Sequence, residues 1–166
     1  MKRFKMKQKI FAIAREYHIL DEHDQMLYRA KGKMFSPRAV VNLYDTTTNE
    51  LLFTKKKKLF AIMAEHTVYD SMGKHVARMK QKFTIGRKLV HIDGDFGHIE
   101  VRGNFWALNF SMHRDDQLLV SVDKKYFQIR DTYNIEIHAE NKKEIEFLLM
   151  CVVMIDSKFH ENKKNN

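Results

Sequence analysis

A short cassette recurs six times along this chain, and it constrains the fold more than any other feature of the sequence. In most copies, two basic residues at positions i and i+2 precede a bulky apolar pair. The aromatic residues that close the cassettes are 21 to 25 residues apart, namely Phe11, Phe35, Phe60, Phe83, Trp106 and Phe127. A regular period of this size is typical of a repeat-built or closed architecture.

Apolar and polar residues alternate over most of each unit, and this alternation predicts β-strands. It is clear in residues 26–35, 99–105 and 118–126. Clusters typical of turns separate the alternating segments, at 21–24, 45–49, 70–73, 93–95 and 113–116. Six units of two strands give about twelve strands. A sheet of that size favours closure into an antiparallel barrel, because closure removes its exposed edges.

The C-terminal segment breaks the alternation. Residues 147–155 are nine consecutive apolar residues within a segment, 144–159, that predicts a helix with Asn141 and Glu144 as its N-cap pair. Lys158 and His160 suit the helix C-terminus, and we expect Asp156 to reach water or a neighbouring strand. Nine apolar residues are too few to span a bilayer, and a helix that is apolar all round is a buried one. Since twelve strands enclose more space than their own side chains fill, we expect this hydrophobic helix to occupy the centre of the barrel.

The composition fits a single domain in a reducing compartment. The 166 residues include one proline and six glycines and no linker-like stretch, so we expect one domain over 1–160 and a polar tail at 161–166. The single cysteine, Cys151, excludes an internal disulfide and a zinc site built on cysteines. The first residues lack the apolar segment of a signal peptide. We therefore expect a cytoplasmic protein without a transmembrane segment, at most peripheral to a membrane.

The sequence carries no motif of an enzyme. A Gly-rich phosphate loop, a nucleophile elbow and paired carboxylates are all absent. None of the nine histidines is spaced i,i+2 or i,i+4 from another, so we expect no metal site. We therefore predict no catalytic residue and no cofactor.

Several segments together resemble the LURP-one-related family. They are residues 6–11, 30–35, 99–105, 123–127 with 131–133, and the apolar tail 152–156. The resemblance extends over residues 2–160 and implies the tubby C-terminal-like fold, a twelve-stranded barrel around a hydrophobic C-terminal helix that phospholipid scramblases share. It also implies a link to anionic lipid, because tubby domains bind phosphoinositide headgroups through a basic patch. The stretch that matches the scramblase calcium loop, 137–143, has one acid and two lysines, so we expect no calcium site.

Aligned on one another, the cassettes place basic residues in ten of twelve slots that alternation directs outward. The first slot holds Lys7, Lys31, Lys56, Lys80, Arg102 and Asp123, and the second holds Lys9, Lys33, Lys58, Lys82, Asn104 and Lys125. We call these slots the basic belt. It either keeps the barrel soluble, partly neutralised by Glu16, Glu65, Asp131 and Glu136, or it adheres to anionic lipid, where each nearby Lys or Arg contributes about 1 kcal/mol.

The inward slot between the two basic positions is polar or very small in every unit. It holds Gln8, Gly32, Lys57, Gln81, Gly103 and Lys124. Lys57 and Lys124 would be costly as unpaired buried charges, so together with Lys55 they are candidates for a basic mouth that holds an anionic headgroup. The alternative is that they extend along the strand ends to solvent.

The net charge of +9, from 30 Lys and Arg against 21 Asp and Glu, favours an anionic partner. We predict a non-enzymatic binding module that contacts anionic phospholipid or another anionic ligand, with Lys55, Lys56, Lys57, Lys58 and Lys124 as the candidate residues. The alternative is a structural or protein-interaction domain whose charge is incidental. Specific nucleic-acid binding is not expected, because a belt lacks the single stripe or groove that it uses.

Overall fold

The computed structural model describes residues 1–10, 15–33, 39–58, 65–84, 87–104, 109–124 and 132–161. Within these ranges the description includes side chains except at residues 10, 82–84, 87–89, 124 and 159–161. The aromatic residues that close the six cassettes therefore lie outside the described side chains.

Twelve strands and one helix make up the described chain. The strands are β1 Lys2–Ile10, β2 Arg15–Leu20, β3 Met26–Gly32, β4 Val41–Asp45, β5 Leu51–Lys57, β6 Glu65–Asp70, β7 His75–Thr84, β8 Arg87–Gly94, β9 Gly97–Asn104, β10 Asn109–Arg114, β11 Gln117–Lys124 and β12 Thr132–Ile137, and the helix is α1 Lys142–Glu161. Each of the five turn clusters read from the sequence falls at a junction between two consecutive strands.

The strands form one closed antiparallel barrel in sequence order. Each strand pairs with the next, and β1 pairs with β12, where Phe4 lies opposite Ile135, to complete the ring. The predicted fold class is confirmed, including the number of strands and the closure. Along each strand, successive side chains point alternately into and out of the barrel. In β6, for example, His66, Val68 and Asp70 are buried.

Helix α1 is the central filling of the barrel, as predicted. Residues 147–155 are each at most 1% exposed. They are buried because the strands of the barrel surround the helix on all sides. Asn141 caps the helix as expected, because its Oδ1 accepts a hydrogen bond from the Glu144 backbone N–H at 3.2 Å. Two ion pairs hold the start of the helix to the barrel: Lys142 with Asp45 at 3.3 Å, and Arg114 with Glu144 at 2.7 Å.

Candidate anion-binding site

The basic belt lies on the outer surface wherever the structure describes it. Among its basic members, Lys7, Lys9, Lys31, Lys33, Lys58, Lys80 and Arg102 are exposed. Lys56 is half-buried, with its Nζ 4.7 Å from the centre of the Tyr69 ring. Lys82 and Lys125 belong to the side chains outside the description.

Acidic neighbours partly neutralise this outer surface. Glu16 lies 4.0 Å from Lys31, and Glu65 lies 3.7 Å from Lys58 and 3.2 Å from Arg78. Glu136 pairs instead with Arg3, a residue of β1 that is not in the belt, at 3.0 Å. Asp131 is outside the described residues. Exposed pairs of this kind contribute little to stability, so their main effect is to lower the local positive charge.

The inward slot between the belt positions lies near one end of the barrel. Gln8 and Gln81 are buried there, Gly32 and Lys57 are half-buried, and Gly103 is exposed. Lys124 is placed by its backbone opposite Tyr133, and its side chain is outside the description. Solvent therefore begins to reach the interior at this level.

Lys55 lies one inward position deeper and is fully buried, at 0% exposed. The equivalent positions in other units hold core residues, namely Met6, Ala30, Met79, Val101 and Val122, all buried. Its Nζ donates a hydrogen bond at 3.2 Å to Ser157 Oγ, on the last turns of α1. Lys55 is therefore an interior residue that contacts the central helix, one level below the expected mouth.

Two further basic side chains lie near Lys55. Lys158 lies in the last turn of α1, as the sequence indicated, but it is only 2% exposed and therefore turns into the barrel. His66 is 0% exposed and lies opposite Lys57 across the β5–β6 pairing. We call Lys55, Lys57, His66 and Lys158 the interior basic cluster.

The protonation of His66 reports the charge of this cluster. Burial lowers its pKa most, and the positive charges of Lys55, Lys158 and Lys57 lower it further, to about 2. The imidazole is therefore neutral at physiological pH, with one N–H donor and one nitrogen acceptor. The charges of all three lysines therefore act on the same buried imidazole inside the barrel.

Some hydrogen-bonding capacity at this end is unmet within the described protein. Neither ring nitrogen of His66 and neither amide atom of Gln8 has a hydrogen-bond partner among the described residues. A buried polar atom without a partner costs roughly 1–3 kcal/mol, so such atoms are usually met by water or a ligand. The interior therefore offers donors and acceptors beside its three lysines.

A buried acid also lies at this end of the barrel. Asp156 is 1% exposed, so of the two expected surroundings it has the neighbouring strand and not water. Burial, followed by the charge of Asp156 and a hydrogen bond to it, raises the pKa of Tyr17 on β2 well above its ordinary value. The Tyr17 hydroxyl therefore stays protonated beside the carboxylate.

The opposite end of the barrel has a different character. A groove of about 660 Å³ there is lined by Asp45, Asp70, Lys142 and Glu146, among others. Burial raises the pKa of Glu146, while Lys142 opposes that rise. This acid-rich end is less suited to an anion than the end that holds the interior basic cluster.

Sequence reasoning singled out Lys55 and Lys57 but not His66, Ser157 or Lys158. His66 carried a usable signal, since strand pairing places an inward residue of β6 beside an inward residue of β5. The sequence carried no such signal for Ser157 and Lys158. A helix that is buried on every side has no polar face from which the direction of a side chain can be read.

The architecture defines a class of proteins: antiparallel barrels of twelve strands, closed on themselves and filled by their own C-terminal helix. Among the described residues, no helix combines the length and the apolar character needed to cross a membrane.

A family model for LURP-one-related proteins matches residues 2–156, so the chain belongs to the LURP-one-related family. The chain is similar to the uncharacterized protein YxjI of Bacillus subtilis, with 26% identity over 149 residues that cover 90% of this chain and 86% of that one. An X-ray structure of a protein from Arabidopsis thaliana matches with a TM-score of 0.64 and 11% identity, over 95% of this chain and 92% of that one. At that identity the likeness concerns the fold alone.

Proposed function

We propose that this protein is a non-enzymatic, cytoplasmic binding module that takes a phosphate-bearing anion at the interior basic cluster. The observation that carries the proposal is the convergence of Lys55, Lys57 and Lys158 on the neutral, buried His66. Burial disfavours the charged form of a lysine, and a bound anion would favour it.

The charges around the cluster favour an anion over a cation. Three lysines lie at this end of the barrel, against one buried acid among the described residues there, Asp156, which acts on Tyr17. A phosphate group would add negative charge and several acceptor oxygens. Lysine ammonium groups and the His66 N–H would donate to those oxygens, and charge-assisted hydrogen bonds of this kind are the strong ones.

Access to the cluster is through Lys57, which is half-buried while Lys55 and Lys158 are enclosed. Lys57 is therefore the first residue that an entering anion meets. Lys56 and Lys58 point to the outer surface on either side of it, where they assist approach through long-range attraction. A flat membrane meets only part of the basic belt at once, so the belt alone is a weaker basis for binding.

A lipid headgroup and a free phosphate compound share this chemistry, and two assays separate them. In the first, inorganic phosphate is titrated into the protein and amide NMR shifts are followed. In the second, the protein is floated with vesicles of phosphatidylcholine, with and without phosphatidylglycerol. Binding in the first assay alone identifies a soluble phosphate compound, and binding in both identifies a headgroup.

Lys57→Gln is the test variant and Lys58→Gln is its matched control, one residue away on the outer face. Losing one charge-assisted hydrogen bond should weaken phosphate binding about tenfold in Lys57→Gln and leave Lys58→Gln near wild type. Absence of binding in both assays, or equal loss in the two variants, refutes the site. The structural or protein-interaction alternative would then be favoured.

A further inference from the structure

Three metal-ligating side chains meet on the outer wall of the barrel, far from the interior basic cluster. His91 on β8 lies directly opposite Glu100 on β9, and His98 is two residues before Glu100 on the same strand and face. One ligand atom from each, a ring nitrogen or a carboxylate oxygen, lies within 4.8 Å of the other two. Sequence spacing missed this group because its members come together across a strand pair.

We propose that His91, His98 and Glu100 form a binding site for a divalent metal ion of the zinc type. Two imidazoles and one carboxylate are a ligand set that zinc uses in proteins, with water in the open position. Zinc–ligand bonds of roughly 2.0–2.1 Å place tetrahedral ligands about 3.3 Å apart. Side-chain rotations that draw the three ligand atoms together by about 1.5 Å would complete the site, with no change in the strands.

A fourth residue already orients one of the ligands. The Nδ1 of His98 lies 2.5 Å from Asp93 Oδ1, and since a carboxylate only accepts, Nδ1 carries the proton. The lone pair of the neutral ring is then on Nε2, where it can bind the metal. A carboxylate that holds the second nitrogen of a metal-binding histidine is the usual supporting contact in zinc sites.

The three ligand side chains also contact one another and Arg102. The His91 and His98 rings stack with centroids 5.1 Å apart and planes 25° apart. Both hydrogen bonds from Arg102 to Glu100 go to the same oxygen, Oε2, at 3.2 and 2.8 Å.

The three ligands lie among paired charges, although the protein as a whole is basic. Arg102 pairs with Glu100 at 2.8 Å and with Asp116 at 2.6 Å, while Asp93 pairs with His98. Two basic residues of β7 face the same patch, Lys80 opposite His91 and Arg78 opposite Asp93. The acidic and basic groups around the three ligands are therefore close to balance, with Asp93, Glu100 and Asp116 against Arg102, Lys80 and Arg78. Because His98 and Glu100 are roughly half exposed, a bound ion would also keep water ligands.

The test is titration of untagged protein with Zn²⁺ by calorimetry, and with Co²⁺ by visible absorption, which reports the ligand geometry. We expect one ion per chain. His91→Gln and His98→Gln should each weaken binding at least tenfold, and Asp93→Asn should weaken it about tenfold through loss of the supporting contact. Thermal unfolding of each variant in the absence of metal shows that the barrel is intact.

His23→Gln is the matched control. His23 is an exposed histidine in the β2–β3 turn, and four strands separate that hairpin from β8 and β9 in either direction around the barrel. The His23→Gln variant should bind Zn²⁺ as the wild type does. Absence of Zn²⁺ binding by the wild type, or binding unchanged in both His91→Gln and His98→Gln, overturns the proposal.

Discussion

The buried neutral histidine should make this protein lose stability when the pH falls below about 6.5. His66 has a pKa of about 2 in the folded state, against roughly 6.5 in the unfolded chain. At pH values between these two, the unfolded chain binds a proton at His66 and the folded protein does not. Protonation therefore favours unfolding in this window, and the effect is absent above it.

The size of the loss follows from the pKa of the unfolded chain. At about pH 5 the unfolded histidine lies roughly 1.5 pH units below its pKa, which corresponds to about 2 kcal/mol. This figure needs only that the folded pKa lies well below 5, since the folded imidazole then contributes no proton binding. It is a large fraction of the stability of a typical domain.

The assay compares urea unfolding of wild type and His66→Gln at about pH 7.5 and about pH 5. Other titrating groups contribute equally to both proteins and cancel in the comparison. We expect the wild type to lose about 2 kcal/mol more than His66→Gln between the two pH values. An equal loss in the two proteins would show that His66 is protonated in the folded state, and the reasoning about the interior basic cluster would fail.

Two further substitutions test how the barrel is closed and filled, each measured by the free energy of unfolding in urea. Asn141→Ala should cost about 1 kcal/mol through loss of the cap on the Glu144 N–H, whereas Asn141→Asp should retain most of it. Gly94→Ala should cost roughly 1–3 kcal/mol or more, because the added Cβ would overlap the Val76 carbonyl oxygen and the backbone of Ala77. Gly73→Ala is the control for Gly94→Ala. At Gly73 φ is +81° and no atom lies within 4 Å of an added Cβ, so only backbone strain of about 1 kcal/mol is expected. An equal cost at both glycines would contradict the steric argument.

The architecture was predictable because its signals are local. Alternation within each unit separates outward belt residues such as Lys31 from inward residues such as Ala30, and the structure agrees wherever both are described. The helix was predictable for a similar reason, since nine apolar residues in a row have one place to go in a barrel too wide for its own side chains. Its start was also marked, by Asn141.

The candidate sites were only partly predictable, because alternation states which face a residue occupies but not how deep it lies. Lys55 and Lys57 share the inward face, yet one is fully buried against Ser157 and the other is half-buried. The depth of each depends on where the end of the central helix lies along the barrel axis. That position follows from packing between segments about a hundred residues apart.

The pairing of His91 with Glu100 shows the same limit at the outer wall. The turn between β8 and β9 places Gly94 opposite Gly97, and that register brings His91 and Glu100 together. A shift of one residue in the turn would separate them, and the sequence 93–97 alone is compatible with either register.

The sequence by itself therefore determined a closed twelve-stranded barrel with an internal helix, since periodicity and apolar content act over a few residues at a time. Only the tertiary structure decided that Lys55, His66 and Lys158 share one interior and that His91, His98 and Glu100 share one surface. The physical reason is that electrostatic and ligand contacts depend on distances of a few ångströms between different elements. Those distances are set by strand register and by the rotation of the central helix, which a pattern along the chain does not specify.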